Sequence, residues 1–194
     1  MRRRRRTAAS EHRAALEALG LGEGAASRLA AYLDTLATWS QRVNLTGART
    51  PAERVRLLVG DVLSAARLPA SGALVDVGSG NGSPGLVLAL VRDDLDVTLL
   101  EPRARRWAFL REAARAAGRP VRVLRVRHDG YPGPPAQTVT LRAVSLPLAE
   151  LSALVSPGGL VLVFGGRPRL GGPFEGMAEG AGVPAGVTAF RRLA

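Results

Sequence analysis

The chain has 194 residues, 46% of them hydrophobic and 22% charged, with a formal net charge of +11. That length fits one domain with a small helical extension, and that apolar content excludes a disordered chain. Cysteine is absent and only His12 and His128 are present, which excludes disulfides, a thiolate metal cluster, a cysteine nucleophile and an all-histidine zinc site.

Residues 1–9, with the run Arg2 to Arg6, read as a basic disordered tail. No apolar segment follows the arginines, so the run does not read as a secretory signal. No apolar stretch nears the ~20 residues that span a bilayer. A cytoplasmic protein with no membrane partner and no bound metal is expected. Residues 10–72 read as the N-terminal helical extension. A helix is predicted over residues 11–19, with Ser10 as N-cap and with Gly20 and Gly22 ending it. A second is predicted over 25–43, where Leu29, Tyr32, Leu33, Leu36 and Trp39 recur at three- and four-residue steps as one apolar face. Trp39 reads as core on that face. Thr50-Pro51-x-Glu53 predicts a third helix, with a cap, a proline at the first position and a glutamate at the third.

From residue 73 to 194 the pattern alternates. Strands are predicted at 74–77, 97–101, 121–126, 138–141 and 160–164, and helices at 84–92, 103–117 and 147–154. Ser156-Pro157-Gly158-Gly159 reads as a turn before the fifth strand. A last strand at 187–193 is expected antiparallel at the sheet edge, after a glycine-rich tail without helix. Alternating strands and helices give an α/β fold with a mostly parallel, doubly wound sheet and right-handed crossovers.

The most informative stretch joins the first strand to its helix. Leu74-Val75-Asp76-Val77 breaks into Gly78-Ser79-Gly80-Asn81-Gly82-Ser83-Pro84-Gly85 and then an apolar helix. Open α/β sheets bind nucleotides at such strand–glycine turn–helix junctions. Gly80-x-Gly82-x-x-Gly85 also matches a dinucleotide fingerprint. Asp76, two residues before the first glycine, can face a cationic ligand end. A chain of this length also leaves no second domain for a hydride acceptor. Both points favour S-adenosylmethionine over NAD. Glu101, with Pro102 after it, ends the second strand, where an acid accepts from both ribose hydroxyls of an adenosine. Asp129 follows the third strand and can accept from an adenine amino group, and a plain surface acid fits almost as well. Its neighbour His128 reads as a solvated side chain.

The positive excess points to a polyanion, RNA first. Arg103, Arg105 and Arg106 open a helix against its macrodipole, which suits phosphate contact. Arg142, after the fourth strand, borders the same crevice and can grip a guanine edge or a phosphate.

These segments resemble the bacterial 16S ribosomal RNA guanine-N7 methyltransferases, the glucose-inhibited division protein B family, over roughly residues 25–165. The carriers are Trp39 with Asn44-Leu45-Thr46, the loop from Val77 to Gly85, Leu99-Leu100-Glu101, the segment Arg105 to Leu110, Arg142-Ala143-Val144 and Pro157-Gly158-Gly159. The resemblance implies a class I, Rossmann-like methyltransferase fold and S-adenosylmethionine as cofactor. It implies N7 of a guanine in 16S rRNA, free or in the small ribosomal subunit, as methyl acceptor, and a monomer is expected. It implies that Asp76, Gly78, Ser79, Gly80, Asn81, Gly82 and Gly85 cradle the cofactor and that Glu101 holds the ribose. Asp129 would lie near adenine, Pro102 would also contact the cofactor, and Arg142, near methyl and guanine, would contact the cofactor and be the catalytic residue. The segment Leu57 to Asp61 keeps only the aspartate of the family's arginine-histidine…aspartate pattern, and Ser83 replaces the loop's phenylalanine. Two alternatives therefore stand beside the first reading: a small-molecule methyltransferase of this fold, and a catalytically inactive RNA-binding relative.

Overall fold

The computed structural model describes residues 12–166, 168–178 and 182–194. The basic tail and the Ser10 cap lie outside the described residues. One sheet of seven strands runs in the order β3-β2-β1-β4-β5-β7-β6. The strands are β1 (Gly72–Val77), β2 (Leu95–Leu100), β3 (Arg122–Leu124), β4 (Ala136–Arg142), β5 (Val155–Phe164), β6 (Phe174–Gly176) and β7 (Val187–Arg192). The first five are parallel, while β7 is antiparallel to β5 and β6 is antiparallel to β7.

Two-residue alternation sends neighbouring side chains to opposite faces of the sheet. Leu74, Val97, Leu99, Leu162 and Ala189 join one buried cluster with the helices. Val75, Leu100, Val139, Val161 and Phe190 join a second, on the other face. The first face is covered by α2 (Glu23–Trp39), α5 (Gly85–Val91) and α6 (Ala104–Ala116). The second is covered by a 3-10 helix, Leu148–Leu154, whose Leu148, Leu151 and Leu154 are buried. The chain runs outward from β1 to β2 to β3 and then returns to β4 beside β1. That reversal opens a crevice at the C-terminal ends of β1 and β4.

The N-terminal helices pack over this crevice's back. A short helix α1 (residues 12–17) is tied to α2 by His12 Nδ1 and Asp34 Oδ1 at 2.7 Å. Arg28 of α2 donates to the Leu90 carbonyl at the end of α5. The region predicted as a third helix is three pieces: α3 (Pro51–Val55), a π-helical turn (Arg56–Gly60) and α4 (Asp61–Ser64). Among the described residues, no helix is long and apolar enough to cross a membrane.

Several boundaries differ from expectation. Helix α2 stops at Trp39. Pro84, which follows a cis peptide bond, caps α5 instead of opening it. Pro157-Gly158-Gly159 is a bulge inside β5, which starts at Val155 and shifts register against β4 there. A Cβ on Gly159 would lie 2.8 Å from the Ser156 carbonyl oxygen and 2.9 Å from that of Gln137, so only glycine fits this close approach. The last strand is internal, because β6 takes the edge. Neither periodicity nor turn chemistry marks a three-residue strand such as β6.

Thr50 closes a capping box: its hydroxyl accepts from Glu53 N at 3.2 Å, and the Glu53 carboxylate accepts from Thr50 N at 3.2 Å. Thr50→Ala should lower unfolding free energy by about 1 kcal/mol. In urea titration the midpoint should fall with an unchanged slope.

Candidate functional site

The site begins where β1 ends. Gly80 has φ of +48°, in the left-handed region, which lets the loop fold back over the strand end. Gly85 allows a close approach: a Cβ there would lie 2.4 Å from the Asp76 Cβ. The loop is clamped from behind by the N-terminal helices. Tyr32 Oη donates to the Asn81 carbonyl at 2.8 Å, and Asn81 Nδ2 donates to the Leu45 carbonyl at 3.2 Å. Asn81 Oδ1 accepts from Ser83 N at 3.0 Å, and Ser83 Oγ donates to the Leu58 carbonyl at 2.7 Å. Burial raises the Tyr32 pKa far above that of an ordinary phenol, so the hydroxyl stays a neutral donor.

In front of the loop is a cavity of about 450 Å³, within the range of small-ligand sites. Gly78, Ser79, Gly80, Asn81, Glu101, Pro102, Arg103, Arg106 and Arg142 line it, as do Leu45, Ser83, Ala143 and Val144. Glu101 is 3% exposed. Its Oε2 accepts from Gly80 N at 3.0 Å and its Oε1 from Arg103 N at 2.8 Å. Each oxygen keeps acceptor capacity toward the cavity. Arg106 donates to the Asn44 carbonyl at 3.1 Å, which fixes it at the rim. Arg142 donates to the Leu57 carbonyl at 2.6 Å and meets Asp61 Oδ2 at 3.4 Å. Its guanidinium lies 5.4 Å from the centre of the Phe164 ring.

Five expected site residues do not line the cavity. Gly82 and Gly85 shape the loop from behind. Asp129 sits on the turn His128–Gly130, exposed, 3.6 Å from the Arg127 guanidinium. Asp76 is fully buried under the loop, where Thr140 Oγ1 donates to its Oδ1 at 2.5 Å. Arg105 faces a separate groove beside α2. His128, read as solvated, is buried and meets Glu150 Oε2 at 2.9 Å, because the 3-10 helix covers it. The contribution of Tyr32, Leu45 and Leu58 was not visible as chemistry, since two of them act through backbone carbonyls. The Asn44-Leu45-Thr46 segment was the one available signal.

The family model of rRNA small subunit methyltransferase G matches residues 25–169. The chain belongs to this family. The rRNA small subunit methyltransferase G of Anaeromyxobacter dehalogenans strain 2CP-1 is 37% identical over 177 residues, 85% of this chain and 82% of the relative. That of Alkalilimnicola ehrlichii is 39% identical over 154 residues, 77% of this chain and 70% of the relative. Among solved structures, TrmN from Thermus thermophilus superposes with a TM-score of 0.54 at 22% identity, over 81% of this chain and 52% of that one. The fold is therefore the α/β Rossmann-like one of class I methyltransferases, as the family membership and the sheet order both require.

Within this rRNA methyltransferase G member, Asp76 is an unusual acid. Burial pushes its pKa up to about 6, against the pull of the hydrogen bond from Thr140. A carboxyl whose folded pKa is raised favours the folded state most below its unfolded pKa of 3.8, and that stabilisation is lost as pH rises through about 6. Asp76→Asn should remove about 3 kcal/mol of pH-dependent stability over that window. Denaturation midpoints measured across it should fall with pH in the wild type and stay flatter in the variant.

Proposed function

We propose that the protein transfers the methyl group of S-adenosylmethionine to N7 of a guanine in 16S rRNA, acting as a cytoplasmic monomer on the RNA or the small subunit. The observation that carries this reading is Glu101, held beside the Gly80 amide in a cavity at the open strand ends whose rim bears Arg103, Arg106 and Arg142.

The residues fit the cofactor. The turn through Gly78 and Gly80 makes a cradle without side chains. The free lone pairs of Glu101 suit the two ribose hydroxyls. When bound, the cofactor supplies a methyl group on a positively charged sulfur. Asp76, sealed under the loop, supports it from below instead of touching the ligand.

Guanine N7 carries a free lone pair, so no residue need remove a proton. This chain's task is alignment, which supplies roughly 7–11 kcal/mol when nucleophile and methyl are held in line. Arg142 suits that task. Its guanidinium is fixed by the Leu57 carbonyl, Asp61 and Phe164. It can donate to guanine O6 and leave N7 unblocked. Arg103 and Arg106 stand where phosphates would approach.

A Cβ at Gly80 would lie 4.0 Å from Glu101 Oε2. Arg106 Nη1 would lie nearer still, at 3.7 Å, so Gly80→Asp fills the cradle at a left-handed φ of +48° and should weaken S-adenosylmethionine binding about a hundredfold or more, read by calorimetry. Glu101→Gln should weaken it about tenfold. Arg142→Ala should lower the methylation rate of small subunits lacking the modification by about a hundredfold, a larger loss than its loss of cofactor affinity. Absence of both cofactor heat and methyl transfer in the wild-type protein would refute the assignment.

A further inference from the structure

A groove adjoins the cofactor cavity on the side away from β4. It lies between the end of α2 and the start of α6, with a volume of about 650 Å³. Trp39 and Val43 form its apolar wall, Arg42 and Arg105 its charged rim, and Thr38 and Gln41 its polar edge. Trp39 is half-buried: its ring meets the Phe109 ring edge-on, with centroids 6.0 Å apart at 63°. Phe109 is fully buried, so the indole is anchored in the core and still borders the groove. Arg42 and Arg105 are exposed, and among the described residues neither has a carboxylate within 4.0 Å.

The groove and the cavity share a wall. Arg106, next to Arg105, reaches across to the Asn44 carbonyl, and Leu45, two residues past Val43, lines the cavity. A strand with one base in the cavity would pass its neighbouring nucleotide along this wall. The groove offers that nucleotide an anchored aromatic ring and two uncompensated guanidiniums. Base stacking on an aromatic side chain tolerates any base, because every base has a π-face. Stacking also requires a base that is splayed out of a duplex.

We propose that this groove is a subsite for an unpaired nucleotide of the RNA substrate, flanking the methylated guanine. Its base lies against Trp39, and its phosphates meet Arg42 and Arg105. The inference rests on the RNA methyltransferase reading above and extends it to a specific contact surface outside the cofactor cavity.

The test is steady-state methylation of unmodified small subunits. In the double variant Arg42→Ala/Arg105→Ala, KM for the subunit should rise about tenfold or more, while KM for S-adenosylmethionine stays within about twofold. The dependence of log KM on log salt should become shallower by about 1.4, at roughly 0.7 per lost phosphate contact on single-stranded RNA. Trp39→Leu should raise the same KM about tenfold, and Trp39→Phe should largely restore it. Both arginines are at the surface, so their variants stay informative if Trp39→Leu disturbs the core. An unchanged subunit KM and salt slope in the double variant would overturn the groove assignment and leave the methyltransferase reading intact. Wild-type protein that methylates no subunit would remove the activity reading alone. The groove is then judged by emission in Trp107→Phe, where Trp39 is the sole tryptophan. Quenching by single-stranded oligoadenylate supports the subsite, and unaltered emission overturns it.

Discussion

The site depends on four hydrogen bonds that hold a loop with little means of holding itself. Glycine gives the turn its shape but loses more conformational entropy on folding than any other residue. The loop supplies Asn81 and Ser83 as handles, and the N-terminal segment supplies Tyr32 and Leu58 from helices and Leu45 from the link between α2 and α3 as anchors. Asn81 also bridges to Ser83 within the loop. The helical segment ahead of the sheet is therefore part of the binding cavity's construction. Its packing on α5 through residues such as Arg28 keeps anchor and loop in one rigid unit.

Two buried acids show how environment divides roles between like side chains. Glu101 is satisfied by two backbone amides and opens on the cavity. Asp76 is sealed, has one oxygen without a partner and takes up its proton at a raised pH. The first keeps acceptor capacity toward the cavity. The second braces β1 against β4, because Asp76 and Thr140 are directly paired across those strands. Their position relative to the loop, one under it and one beside it, decides the difference.

The sheet was legible because alternation and glycine punctuation reflect local physics. The loop from Gly78 to Gly85, Glu101 and Arg142 could be placed because strand ends in such sheets converge on one crevice. Asp76 was misplaced because its spacing from the glycines says nothing about which side of the loop it occupies. His128 was misread because the helix that buries it starts twenty residues later. The clamp was hidden for a related reason. A carbonyl of Leu45 or Leu58 that accepts a hydrogen bond leaves no trace in residue type, and long-range pairing with the loop follows from tertiary packing alone. Arg105 and its neighbour Arg106 read as one basic cluster, yet the helix turns them toward different walls.

The π-helical turn at Arg56–Gly60 places two successive carbonyls in contact with the two halves of the crevice. Leu57 receives Arg142, and Leu58 receives Ser83 of the glycine loop. A single joint thus carries a guanidinium from one strand and a backbone hairpin from another. Any movement of this joint is transmitted to both at once, so the width of the crevice is gauged by a stretch of backbone that does not line it.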